Sequence, residues 1–114
     1  MLNNGNFNGK QVVDSTVIAK LAKGGSIEAF DNGPDSDGVV HKKGEWSYRA
    51  QWWVRHTPGK EAFMAIGIHG QWIYIDLDHN IAIIKQSSQP VSKDQVLNGL
   101  DINGFDSIIE QLTK

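Results

Sequence analysis

The sequence predicts an α+β fold built on an antiparallel sheet of about four strands, with a short N-terminal helix and a C-terminal amphipathic helix. From Trp46 to Gln86, β-branched and aromatic residues alternate with polar ones, and short Gly, Asp or Asn clusters interrupt them at hairpin spacing. Near the C-terminus, Ile102, Phe105, Ile108, Ile109 and Leu112 recur at helical spacing. The 114 residues suffice for a single domain, 1–114, and are too few for two separate cores.

In chain order, Asn3 to Gly9 is rich in Gly and Asn and reads as a loop. Asp14 can cap a helix over Ser15 to Lys23, whose apolar Val17, Ile18 and Leu21 fall one turn apart, and Gly24-Gly25 can end it. Ser26 to Glu45 shows little periodicity and reads as a long surface loop, densest in Gly from Asp31 to Gly44. Strands are expected over 47–55, 62–68, 71–76 and 81–86, and their short connections make neighbours antiparallel. The last helix is expected to start at an Asp101 or Asn103 cap, to carry its apolar stripe as core and to lie across one sheet face.

Composition narrows the function. Eleven basic residues against thirteen acidic ones leave a net charge of −2, which provides no electrostatic footprint for nucleic acid. Without Cys there is no disulfide, thiolate nucleophile or Cys-based zinc site. No apolar run approaches the ~20 residues that span a bilayer, and Met-Leu-Asn-Asn-Gly has neither the basic nor the apolar region of a secretory signal. A cytoplasmic location is the default expectation, with no membrane partner and no cofactor.

Certain residues break the patterns around them. Over 47–55 strict alternation puts Tyr48, Ala50, Trp52 and Val54 on one face, and it leaves Trp53 on the other among Arg49, Gln51 and Arg55. Trp53 therefore either stacks on a guanidinium at the surface or walls a ligand cleft. Gly67, inside an otherwise apolar strand, marks either a bulge or a close approach by ligand or backbone. His69, at that strand's end, reads as a hydrogen-bonded structural residue, with a ligand or base as the alternative. Asp76, Asp78 and His79 surround a hairpin and read as a solvated turn rather than a metal site.

Read together, Leu2-Asn3-Asn4-Gly5…Asn8-Gly9, Gly24-Gly25-Ser26…Glu28-Ala29, Ser47-Tyr48-Arg49…Gln51-Trp52-Trp53 and Gly67-Ile68-His69-Gly70-Gln71…Asp76 resemble the C-terminal part of the 6-aminohexanoate-dimer hydrolases. These are serine amidases and esterases of the β-lactamase and penicillin-binding superfamily, and the resemblance implies part of that fold. In such enzymes a Ser-x-x-Lys motif supplies the nucleophile and its basic partner, and a strand near the C-terminus closes the site. By the resemblance, the Lys-Thr-Gly of that strand falls on Ala65-Ile66-Gly67. The N–H of Ile68 then becomes an oxyanion-hole donor, Gly67 lets substrate approach, Trp53 walls the cleft, and His69 and Gln71 support the bend. Ala65 removes the cation that β-lactamases use to hold the substrate carboxylate.

No Ser-x-x-Lys occurs anywhere in the chain. The sequence thus looks like a truncated or separately encoded C-terminal segment, inactive alone, with Met1-Leu2 resembling the end of a helix. The alternatives are a non-catalytic small-molecule binding or interaction module and a remnant. By the resemblance, the strand Ile81 to Gln86 lacks a partner, so a homo-oligomer covering that edge or the neighbouring apolar face is expected, as is a possible complementary N-terminal chain.

Overall fold

The computed structural model describes residues 2–36 and 40–114. Its elements run β1 (Asn6–Phe7), β2 (Lys10–Gln11), α1 (Ser15–Lys23), α2 (Ile27–Asp31), β3 (Trp46–Arg49), β4 (Trp52–Arg55), β5 (Ala62–Gly67), β6 (Gln71–Asp76), β7 (Ile81–Lys85) and α3 (Gln95–Leu112), with 3-10 turns at Leu2–Gly5 and Ile68–Gly70. β3 to β7 form a five-stranded antiparallel sheet in strictly sequential order. The α+β class stands. No helix among the described residues is long and apolar enough to cross a membrane.

The sheet has one strand more than expected, because 47–55 is not continuous. Ala50 and Gln51 have φ of 51° and 70° and turn the chain between β3 and β4, pairing Arg49 with Trp52 and Tyr48 with Trp53. Positive φ at both central residues belongs to the tight hairpin turn that matches strand twist. A two-residue turn pairs even-numbered with odd-numbered positions, so Tyr48 shares a face with Trp53 rather than with Trp52. That face holds the larger core: Trp46, Met64, Trp72 and Tyr74 pack with Ile102, Phe105 and Ile109 of α3 and with Phe30 and Val40, and Trp53 and Ile66 pack against them. Trp53 is on an apolar face after all.

On the opposite face Val54, Phe63 and Ile75 are covered by Leu2, by Ala22 of α1 and by Trp52 and Leu77. Helix α1 has the expected bounds. The Asp14 carboxylate accepts from the Thr16 N–H, and Ile18 is buried. Gly24 follows with φ 75°, and a Cβ there would meet Ser47 Oγ at 2.3 Å, so the end of α1 can approach the sheet only as glycine.

Further expectations need correction. The stretch read as loop from Asn3 to Gly9 includes a 3-10 turn at Leu2–Gly5 and strand β1, which pairs with β2 across Asn8-Gly9. Leu2 therefore belongs to a tight turn, and Met1 lies outside the described residues. The 26–45 loop contains α2, capped by the Ser26 hydroxyl on the Ala29 N–H, with Phe30 buried beneath it; positions 37–39 fall outside the described residues. Helix α3 begins at Gln95 behind an Asp94 cap, about two turns before the expected start, and Ile108 and Leu112 of its stripe are exposed. Asp101 caps nothing: it accepts from Trp72 Nε1 and from Lys85, tying α3 to β6 and β7.

Arg55 also departs from the reading of a polar face. It is buried beneath α3, where its guanidinium bonds both Asp106 oxygens at 2.7 and 3.0 Å and reaches the Tyr74 hydroxyl at 3.2 Å. Burial pulls this guanidinium down, but the hydrogen bond to Asp106 and the influence of Tyr74 outweigh it and hold the group above its ordinary value. Burial likewise raises Tyr74.

Candidate functional site

β4 pairs with β5 only as far as Trp53 opposite Met64, whereas β5 continues to Gly67 in register with β6. Past Met64, therefore, one edge of β5 is not covered by the β3–β4 hairpin. Beside this edge lies a cavity of about 190 Å³ lined by Trp53, Ile66, Gly67 and Ile68, by Val40 and His41, and by Gln95 and Asn98 from the first turns of α3. The residues singled out as cleft wall, close-approach glycine and backbone donor are thus brought together. Ile68 opens the 3-10 turn and is 60% exposed, so its surroundings are open to a ligand.

The wall is aromatic. The indole of Trp53 lies nearly parallel to the His41 ring, with centroids 6.4 Å apart at 8°, and meets Tyr48 edge-on at 4.7 Å. No guanidinium is needed to explain its position. Gly67 is not a bulge, since the β5–β6 register runs through it unbroken to Gln71. A Cβ at Gly67 would come within 2.9 Å of the Gln71 Cβ, so close cross-strand packing alone gives this glycine a structural reason.

His69 and Gln71 hold the turn. With φ 59°, His69 donates its backbone N–H to Ser92 O at 2.9 Å, and its Nδ1 lies 2.9 Å from Gln89 O, as a donor to that carbonyl. The Gln71 side-chain amide donates to Ser87 O and accepts the Ser87 N–H at 3.2 Å. Together they fasten the segment 87–92 to the β5–β6 turn. That segment leads directly to the Asp94 cap, so the same clamp sets where Gln95 and Asn98 stand.

His41, buried beside the cavity, was not singled out from the sequence; a solitary His in a loop without periodicity offers no signal. Its Nδ1 lies 3.0 Å from the Asp35 carbonyl, which can only accept. Gln95 and Asn98 were missed for a different reason, because the helix was expected to begin after them.

Two other arrangements look catalytic and are not. Ser47 Oγ lies 2.7 Å from His56 Nε2, but Ser47 is fully buried and its oxygen also accepts the Gly25 N–H at 3.0 Å. This pair fastens α1 to the sheet and is closed to substrate; burial lowers His56, favouring the neutral ring. In the β6–β7 turn, Asp76 accepts the His79 N–H at 3.0 Å and pairs with His79 Nδ1 at 2.7 Å, which raises His79. Among the described residues no three His, Cys, Asp or Glu side chains are placed to hold a metal ion.

Comparison with known proteins agrees with the resemblance drawn from the motifs. No family model matches the chain. Over 90 residues, 79% of its length, the chain is 33% identical to the 6-aminohexanoate-dimer hydrolase of Paenarthrobacter ureafaciens, of which it covers 22%. A solved structure from Bacillus anthracis, provisionally named for the same activity, superposes with a TM-score of 0.68 at 26% identity, over 97% of this chain and 26% of that one. The chain spans about a quarter of the length of these relatives.

Proposed function

We propose that this chain, a relative of the 6-aminohexanoate-dimer hydrolases over a segment of their length, supplies the oxyanion-hole strand and one cleft wall of a serine amidase or esterase site. The observation that carries the reading is the convergence of Trp53, Gly67 and Ile68 on one cavity beside the uncovered edge of β5. In this role the Ile68 N–H donates to the oxygen on which charge develops as a carbonyl is attacked, Gly67 leaves the substrate room, and the Trp53 ring packs against its apolar portion. His69 and Gln71 act indirectly, by fixing the turn from which Ile68 projects. The chain has no Ser-x-x-Lys, so the nucleophile and its base come from another polypeptide segment.

The test is complementation. The Paenarthrobacter hydrolase lacking the segment that matches this chain is combined with the chain, and hydrolysis of its substrate is followed. Activity should appear only with both parts, and a fluorophosphonate should label the mixture but not this chain alone. Ile68→Pro, which deletes the N–H, should lower kcat by ~10²–10³-fold, the usual loss for one oxyanion donor, while Ile68→Val should keep it. Equal activity for the two variants, or labelling of the isolated chain, refutes the assignment.

A second reading, a non-catalytic binding module, is favoured by the cavity being lined within this one chain. For partners, we propose self-association through β7. It is an outer strand of the sheet, with Ile84 71% exposed, and Ile73 on the adjoining strand is 42% exposed. Light scattering should show a dimer or larger species at micromolar concentration, and a monomer throughout refutes this.

A further inference from the structure

We infer that the cavity binds a neutral end group that both donates and accepts hydrogen bonds, a primary carboxamide or a urea, and that Gln95 and Asn98 select it. The inference takes its location from the cleft reading above, but not its chemistry. Trp53 Nε1, Gln95 Oε1 and Asn98 Oδ1 are buried and have no hydrogen-bond partner among the described residues, and all three residues line this one cavity. Folded proteins leave few buried polar groups unpaired, and a cluster of them at one opening marks a place where a partner is missing.

The unpaired atoms specify that partner by complement. An indole N–H only donates, and an amide oxygen only accepts. The partner must therefore offer one acceptor to Trp53 and two hydrogens to Gln95 and Asn98. A carboxamide does this with its carbonyl and its NH2. A carboxylate has no hydrogen to give, an ammonium has no lone pair to offer, and a hydroxyl has one hydrogen for two acceptors.

Placement supports the same group. Gln95 and Asn98 are three residues apart on α3 and share a face. The helix is held by the Asp94 cap and by buried Ile102 and Phe105. Both residues are only partly buried, and both line the cavity. Val40, Ile66 and Ile68 supply apolar surface for what the end group is attached to. Asp35 and Lys93 at the same cavity carry opposite charges, so neither sign of ligand is favoured. At about 190 Å³ the space equals roughly six water molecules of ~30 Å³ each, enough for a small amide head.

Propionamide, propionate and n-propylamine, nearly equal in size, separate the possibilities when titrated into the ¹⁵N-labelled full chain. Propionamide should produce a saturable millimolar shift of the Trp53 indole N–H, identified by Trp53→Phe, and of the Gln95 and Asn98 side-chain amides; the other two should bind roughly tenfold or more weakly. Gln95→Leu with Asn98→Leu should abolish the shift. If that variant does not fold, Gln95→Glu with Asn98→Asp, close in shape, should exchange the preference from propionamide to n-propylamine. Equal binding of the three probes, no saturable shift at Trp53, or an unchanged preference in the Glu/Asp variant overturns the inference. Propionamide binding is read on this chain alone and needs neither hydrolysis nor a complementing segment, so failure of the oxyanion role and failure of this site are distinguishable.

Discussion

Replacing Asp106 with Ala removes one half of the ion pair that joins α3 to the sheet. The Arg55 side chain is 9% exposed and that of Asp106 18%, and in the variant the guanidinium keeps, among the described residues, only the Tyr74 hydroxyl. Breaking a buried pair from one side typically costs ~3–5 kcal/mol, because the surviving charge stays out of water. The partial exposure of Asp106 places this case at the lower end, about 3 kcal/mol. Lys60, also 3.4 Å from Asp106 but 54% exposed, adds little. For a domain of this size about 3 kcal/mol corresponds to a fall in Tm of roughly 12 °C. Urea unfolding and calorimetry of Asp106→Ala, Arg55→Met and the double variant Arg55→Met/Asp106→Leu form the assay. The double variant should be far milder than Asp106→Ala, since it leaves no charge stranded. A cost under about 1 kcal/mol for Asp106→Ala, or a double variant as costly as the two single ones combined, would refute the reasoning.

The β3–β4 turn and two histidines give further tests. Exchanging Ala50-Gln51 for Asn-Gly, which tolerates positive φ, should stabilise the chain by about 1–2 kcal/mol in urea; no gain would mean that the turn is not of this form. Stability should also respond to pH through His56 and His79, in opposite senses. His56 is lowered in the fold, so its protonation costs stability as pH falls below its unfolded value near 6.5, and His56→Asn should abolish that loss. His79 is raised by Asp76, so its contribution is fully present below about 6.5 and disappears as pH rises through its folded value. Urea midpoints of His79→Ala from pH 5 to 8 should therefore rise with pH more steeply than those of the unaltered chain, and an identical slope would contradict the assignment.

Helix α1 was legible from its apolar stripe at helical spacing, and β5 to β7 from runs of apolar, β-branched and aromatic residues set between short turn signals. The 47–55 stretch misled because neither Ala nor Gln advertises a turn. Asn8-Gly9 does, yet the two-residue strands beside it are too short to show a pattern. The start of α3 was hidden by Val96, Leu97 and Leu100, which are apolar but exposed and so blur the stripe that begins at Ile102. The family motifs single out Trp53, Gly67 and Ile68 together, and the three line one cavity, whereas strict alternation misplaces Trp53. The alternation rule stranded it among polar residues, while the hairpin returns it to the core side. His41, Gln95 and Asn98 reach the cavity from opposite sides of the sheet's sequence, and nothing local to any of them points there.

The sequential order of the five strands has a kinetic consequence. Each strand pairs with its neighbour in the chain, across connections of only a few residues, so every closure costs little chain entropy. Low contact order of this kind favours rapid assembly of the sheet from β3 to β7. The turn that carries Ile68 joins two neighbouring strands of this meander, β5 and β6, and is then pinned by the 87–92 segment that follows β7, so the whole of its support lies within one continuous stretch of chain.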